Sequence, residues 1–352
     1  QVLIERAQLL LKQEKAHITK GVTIIESGIN YVVGLVINIT VLYITLKVFT
    51  AYWPEFILSK QDHKWEIYFY GYQGIVFVFH ALNYVVYNLM DGSGSLIIQN
   101  HEGNSTSINS DELDLGSQPI RMEEVTEKAL LVNFVNLCLI TPALFYFDSS
   151  RTKLSFSPEV PSFFTVVWQI IICMFLEAIG FYLFHRIGHE YLYRIHKLHH
   201  EFVVPTLLAT SYFHPVDLIM GALIPLSIGP KLLGTNMHFL TNLIWGIWRL
   251  NEAYEGHSNY NIPWSPFRIP PFSASSEYHS FHHTNNVGNY GSTLLIEDTL
   301  TGTNVEYFKQ PNSSAISHRQ QKQLDSNIRI LNTLKDPTRH TTNQNQPKKL
   351  DY

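Results

Sequence analysis

Seventeen histidines occur in this 352-residue chain, and eleven of them fall between residues 185 and 283. Their spacing is regular. His185 and His189 form an HxxxH pair, His196, His199 and His200 form HxxHH, and His279, His282 and His283 repeat HxxHH. Between the last two groups stand His214, directly before Pro215, and His257, directly before Ser258. On a helix, residues four apart point the same way about one turn apart. The HxxxH pair can therefore share or bridge metal ions. HxxHH sets its first two imidazoles about a turn apart, with the third on a neighbouring face.

Ten patterned imidazoles are too many for one ion. A structural zinc takes four ligands, and a catalytic zinc takes three plus water. Ten suit a pair of ions. Imidazole accepts Fe, Zn, Cu and Ni, so ligand type alone leaves the metal open. Neutral ligands leave such a centre cationic, suited to binding anionic oxygen species and stabilising charge that develops in oxygen activation.

The elements that carry these residues are apolar. Residues 27–46 are uncharged over the length a helix needs to cross about 30 Å of hydrocarbon. Residues 67–90 form a second uncharged run, and the two predict a transmembrane hairpin over 27–90, with a polar turn spanning Pro54 and Lys60–Lys64. Further runs cover 129–147 and 162–184, the latter interrupted only by Glu177. A charge inside a span is costly and faces protein or a site. Eight residues before His185, Glu177 falls on nearly the same helix face. The stretch 202–256 is apolar but broken by Pro205, Pro215, Pro225 and Pro230, with Asp217 inside. It reads as a re-entrant or hairpin element, returning the chain to the face it left.

The rest of the chain is polar. Residues 1–26 read as an amphipathic segment at the membrane surface, 91–127 as a polar loop, and 310–352 as a polar tail. Residues 128–309 then form the histidine-bearing membrane domain. Glycosylation sequons occur at Asn104 and Asn312. The composition fits: 45% of residues are apolar and 15% charged, against roughly 25% charged in a soluble domain. A net charge of −4 without a dense Lys/Arg block argues against nucleic acid. Two cysteines, both in apolar runs, exclude a disulfide framework or a cysteine-type zinc site. A metal centre fed by membrane helices implies a substrate arriving from the lipid.

Five stretches carry a resemblance: FHRIGH at 184–189, IHKLHH at 195–200, YFHP at 212–215, HSNYNIPW at 257–264 and EYHSFHH at 277–283, with GNYGS at 288–292 after them. In this order they resemble the fatty acid hydroxylase / sterol desaturase superfamily, and most nearly its C-4 methylsterol monooxygenase branch, over roughly residues 160–305. The resemblance implies an all-α integral membrane protein, a helical bundle under a histidine-rich cap holding two iron ions, with zinc as the alternative metal. It implies O2 as oxidant, electrons from NAD(P)H through cytochrome b5 or a similar donor protein, and hydroxylation, desaturation or oxidative demethylation of a sterol or fatty acyl lipid. All ten histidines (His185, His189, His196, His199, His200, His214, His257, His279, His282 and His283) become the expected ligands, and the eight in the three boxes the expected catalytic centre. Glu177 is expected to support that centre. Arg186 and Lys197 are either partners for an electron donor's acidic surface or ordinary interfacial cations.

The expected residence is the endoplasmic reticulum membrane, or the mitochondrial inner membrane if a presequence was cleaved before Gln1. Relatives often carry an acidic residue where this chain has Ala178, Asp where it has Ser280, and Gly where it has Asn259. These departures motivate an alternative role, a structural subunit of a larger membrane complex that retains its metal site.

Overall fold

The computed structural model describes residues 24–93, 113–114, 119–120, 122–203, 205–258, 260, 262, 264–267 and 274–309. The expected N-terminal amphipathic segment up to residue 23, the tail beyond 309, both sequons and Asn259 lie outside the described residues. Apart from a two-residue antiparallel pairing of 113–114 with 119–120 and a single bridge between Ser155 and His238, the described residues fold as helices, turns and connecting segments. The expectation of an all-α bundle is borne out.

Helices α1 (Ile24–Ser59) and α2 (Lys64–Ser93) form the N-terminal hairpin. Pro54 was expected in the turn but lies inside α1. The apolar stripe runs straight through it: Phe49, Trp53 and Ile57, at i, i+4 and i+8, pack into one core with Tyr68, Tyr72 and Phe239. Burying that stripe outweighs the proline, and the turn shrinks to residues 60–63. The polar loop also ends earlier than expected, because α3 (Met122–Val135) already includes residues 122–127. A π-turn over Asn136–Ile140 joins it to α4 (Thr141–Ser149).

Helix α5 (Phe163–Glu190) is the centre of the bundle. At 1.5 Å per residue its 28 residues reach about 42 Å, against about 30 Å of hydrocarbon. His185 and His189 lie at its C-terminal end, within the last turns of a helix longer than a span requires. After the short α6 (Tyr193–His196), the chain re-enters through α7 (Pro215–Asp217), a π-turn and α8 (Ile224–Leu233). A Cβ on Gly229 would lie 2.7 Å from the Cα of Cys173. Only glycine lets α8 press backbone to backbone against α5. His238 then caps α9 (Phe239–His257), accepting from the Leu240 amide, and α9 carries the chain back. Helices α10 (Ser276–Asn285), α11 (Ile296–Thr301) and α12 (Val305–Lys309) complete the cap.

Contacts between the helices group their ends. At one end, Trp53 Nε1 donates to the Ser157 carbonyl, the Tyr68 hydroxyl donates to Asp148, and the Ser155 and His238 backbones pair. At the other end, Tyr87 stacks on Tyr260 and the Lys128 ammonium donates to Glu201, one residue after His200. The segment 202–256 enters and leaves on the histidine side, as expected. Among the described residues, four helical stretches are long and apolar enough to cross a membrane: 29–59, 125–149, 163–190 and 215–236. The chain is a multi-pass membrane protein.

Candidate metal centre

Nine of the ten patterned histidines converge, in two adjacent nests. His185, His189, His196, His200 and His282 form the first; His199, His257, His279 and His283 form the second. Within each nest the ligating nitrogens all lie within 4.8 Å of one another. The His200 and His283 rings, one from each nest, have centroids 4.6 Å apart.

The HxxHH spacing works differently from its sequence reading. The first and third histidines of each box share a nest and the middle one joins the other. His196 and His200 enter the first nest while His199 enters the second; His279 and His283 enter the second while His282 enters the first. Each box thus spans both nests. The third box lies on α10, where residues four apart share a face. The second does not lie on a single helix: His196 ends α6, and His199 and His200 sit on a following 3-10 turn.

Five of the nine Nδ1 atoms have a partner on the far side of the ring, which turns those Nε2 atoms inward, whereas the buried Nδ1 atoms of His199 and His200 have none among the described residues. His185 Nδ1 donates to the Tyr290 carbonyl (2.7 Å), His282 Nδ1 to the Gly288 carbonyl (2.6 Å), His257 Nδ1 to Ala253 (2.8 Å) and His283 Nδ1 to Phe202 (2.9 Å). His196 Nδ1 pairs with Asp217 Oδ2 at 2.8 Å. The inward nitrogens are close: Nε2 of His200 lies 3.0 Å from that of His196 and 3.2 Å from that of His282. In the second nest, Nε2 of His279 lies 3.0 Å from that of His257 and 3.2 Å from that of His283.

Where Nδ1 donates to a carbonyl or carboxylate, the facing Nε2 is a bare lone pair, and a single proton cannot satisfy three converging nitrogens. Two nitrogens held at about 2.0–2.1 Å on one ion, at octahedral or tetrahedral angles, lie about 2.9–3.4 Å apart. The nests reproduce that spacing, so the donor set fits a metal ion in each. Burial, the main cause, holds His199, His200, His279, His282 and His283 well below the ordinary imidazole value, and pushes His257 down to about 4. All six are therefore neutral at physiological pH, as ligation requires.

His214 is the tenth, and the structure does not bring it in. It is exposed, and its Nδ1 accepts from the Val216 amide as the cap of α7. A histidine before proline takes extended backbone and suits an N-cap. Glu177 also departs from expectation. It contacts no imidazole directly: Arg249 Nε donates to it at 2.7 Å and Thr293 Oγ1 at 3.3 Å. Arg186 pairs with Glu190 and donates to the Tyr182 hydroxyl, while Lys197 is exposed.

Two acids escaped the sequence reading. Asp217 was visible only as a charge in an apolar stretch, which is itself the usable signal, since such a charge needs a partner. Fully buried Asp298 accepts from the Tyr290 and Gly291 amides and from the Tyr278 and Thr303 hydroxyls. It pins the loop whose carbonyls hold His185 and His282.

Residues 170–303 match the fatty acid hydroxylase family. The very-long-chain aldehyde decarbonylase GL1-11 of Oryza sativa subsp. indica is 34% identical over 198 residues, 55% of this chain and 70% of that protein. Methylsterol monooxygenase 1 of Gallus gallus is 34% identical over 185 residues (51% and 61%), and methylsterol monooxygenase erg25A of Aspergillus fumigatus 38% over 185 residues (51% and 60%). No solved structure matches the chain. The chain belongs to the fatty acid hydroxylase family. It is an enzyme of that family's oxidoreductase class.

Proposed function

We propose that this chain is a membrane oxygenase that holds an iron ion in each nest and uses O2 to hydroxylate, desaturate or oxidatively demethylate a sterol or fatty acyl lipid. The observation that carries the reading is the junction of the two nests with an apolar cavity. Tyr72, Val76, Phe181, Leu226 and Leu250 line that cavity, and so do His185, His196, His199, His257 and His279. When bound, the ions would supply activation of O2.

The chain's own residues do the rest. The cavity walls hold the lipid by apolar contact and keep bulk water from the reacting carbon. The carbonyls of Tyr290, Gly288, Ala253 and Phe202, with Asp217, fix ring tautomers and aim Nε2 inward. His189 is the one half-buried member of the nests, and marks where an electron donor such as cytochrome b5, reduced by NAD(P)H, would approach. The relatives' names support a lipid substrate, and the endoplasmic reticulum is the membrane proposed.

The test supplies detergent-purified, iron-loaded protein with O2, a chemical reductant and membrane lipid extract, and follows oxidised lipid by mass spectrometry. Reductant-dependent lipid oxidation that disappears in His279→Ala is expected. Fully loaded protein that consumes no O2 and yields no lipid product overturns the reading.

A further inference from the structure

One wall of the apolar cavity is charged. Arg249, on α9, donates from Nε to Glu177 (2.7 Å), from Nη1 to Glu252 Oε2 (2.6 Å) and from Nη2 to the Ser292 hydroxyl (2.9 Å). All four side chains line the cavity. Glu177 is 2% exposed, and Arg249 and Glu252 are each 11% exposed. Burying three charged groups is expensive, and a cluster serving only to hold helices together could be replaced by apolar packing. Its place beside the metal nests, in the space proposed for the lipid, points to a ligand.

The chemistry of that ligand follows from the balance of charge. Two carboxylates share one guanidinium, so the ionised cluster carries a net negative charge. The guanidinium is turned towards its two carboxylates and a serine. Beside this cluster, away from the nests, a lipid carboxylate or phosphate would meet repulsion. Glu252 commits only Oε2 to Arg249, and it lines the cavity. A hydroxyl both donates and accepts, so it matches Glu252 whether ionised or protonated. We infer that Glu252, held in place by Arg249, anchors one neutral hydroxyl of the lipid, and that the cavity selects hydroxylated lipids over those bearing a free carboxylate or phosphate. This rests on the reading that a lipid occupies the cavity.

The test measures binding without turnover. Full-length zinc-loaded protein in detergent is given a tritiated 3-hydroxysterol, with its 3-O-methyl ether, 3-sulfate and 3-amino analogues as competitors. A C18 alcohol is compared with its methyl ether and with the C18 acid in the same way. A hydrogen bond to a charged acceptor is worth about 10- to 100-fold in affinity, so each alcohol should compete better than its ether by that factor. The sulfate and the acid should be weaker still. Glu252→Leu should reduce the alcohol-to-ether ratio to within about threefold, and the isosteric Glu252→Gln, which keeps an acceptor, should preserve most of it.

An ether, sulfate or acid that competes as well as the alcohol with the native protein overturns the inference. So does an amine that binds more tightly, or failure of both alcohols to bind. The native comparison needs no variant to fold. Alcohol selectivity without lipid oxidation would remove only the proposed oxygenase activity, and oxidation without selectivity would remove only this inference.

Discussion

His196 Nδ1 and Asp217 Oδ2 lie 2.8 Å apart, joining the end of α6 to the turn at which the chain re-enters the bundle. Asp217 is 9% exposed and His196 is 3% exposed. A carboxylate on the far side of a ligand imidazole fixes its tautomer and raises its basicity, and removing it typically costs about 10–100-fold in metal affinity. Asp217→Ala should lower retention of the first nest's ion by that factor against a graded chelator. Unchanged retention would show that His196 does not depend on this partner.

Asp298 acts on two ligands at once through the loop it pins. Asp298→Ala would leave the buried amides of Tyr290 and Gly291 without acceptors, at about 1–3 kcal/mol for each unsatisfied group. The variant should unfold several degrees earlier and bind metal more weakly in the first nest, to which His185 and His282 belong. Thermal melting with and without metal separates the two effects. A variant with native metal affinity would remove the link between this loop and the nest.

His214 and His283 should behave oppositely. His214→Ala removes a helix cap, at about 0.5–2 kcal/mol, and should keep both ions. His283→Ala should empty the second nest. Metal analysis of both variants decides between the two roles, and metal loss from His214→Ala would return it to the ligand set.

Ser280→Asp tests the position where the family resemblance leads to the expectation of an acid. The Nδ1 atoms of His282 and His283 already donate to backbone carbonyls, which do the work a carboxylate would do for those two rings. The substitution should therefore change metal retention by less than about twofold, far below the 10–100-fold of a missing partner.

Acidification should destabilise the metal-free protein. Unfolded imidazoles protonate near their ordinary value of about 6.5, whereas burial keeps His199, His200, His279, His282 and His283 neutral to lower pH, and His257 to about 4. Below about 6.5 the unfolded state binds more protons. The stability contributed by these groups is therefore full above that pH and lost as pH falls towards the depressed values, by up to about 1.4 kcal/mol per unit for each proton. Melting of chelator-stripped protein should fall between pH 7.5 and pH 5.5. A constant or rising melting temperature would contradict the burial of neutral imidazoles.

Much of the centre could be read from residue order. Repeated HxxHH is a spacing signal, and it survives folding because α10 keeps residues four apart on one face. The exchange of the middle histidine between nests could not be read, since it depends on where two separate backbones meet. The backbone acceptors on Tyr290, Gly288, Phe202 and Ala253 were hidden too, because every residue has a carbonyl and sequence does not show which ones face a ring. Pro54 misled for a related reason: local propensity marks a turn, whereas the stripe of Phe49, Trp53 and Ile57 packs only in the presence of Phe239, far along the chain.

The central claim is that two histidine nests each hold a metal ion. Elemental analysis of detergent-purified, folded protein tests it most directly, alongside the double variants His185→Ala/His189→Ala and His279→Ala/His283→Ala. The account predicts about two transition-metal ions per native chain, iron in the active protein, and about one in each double variant. A native chain that is folded yet holds a single ion or none would contradict it.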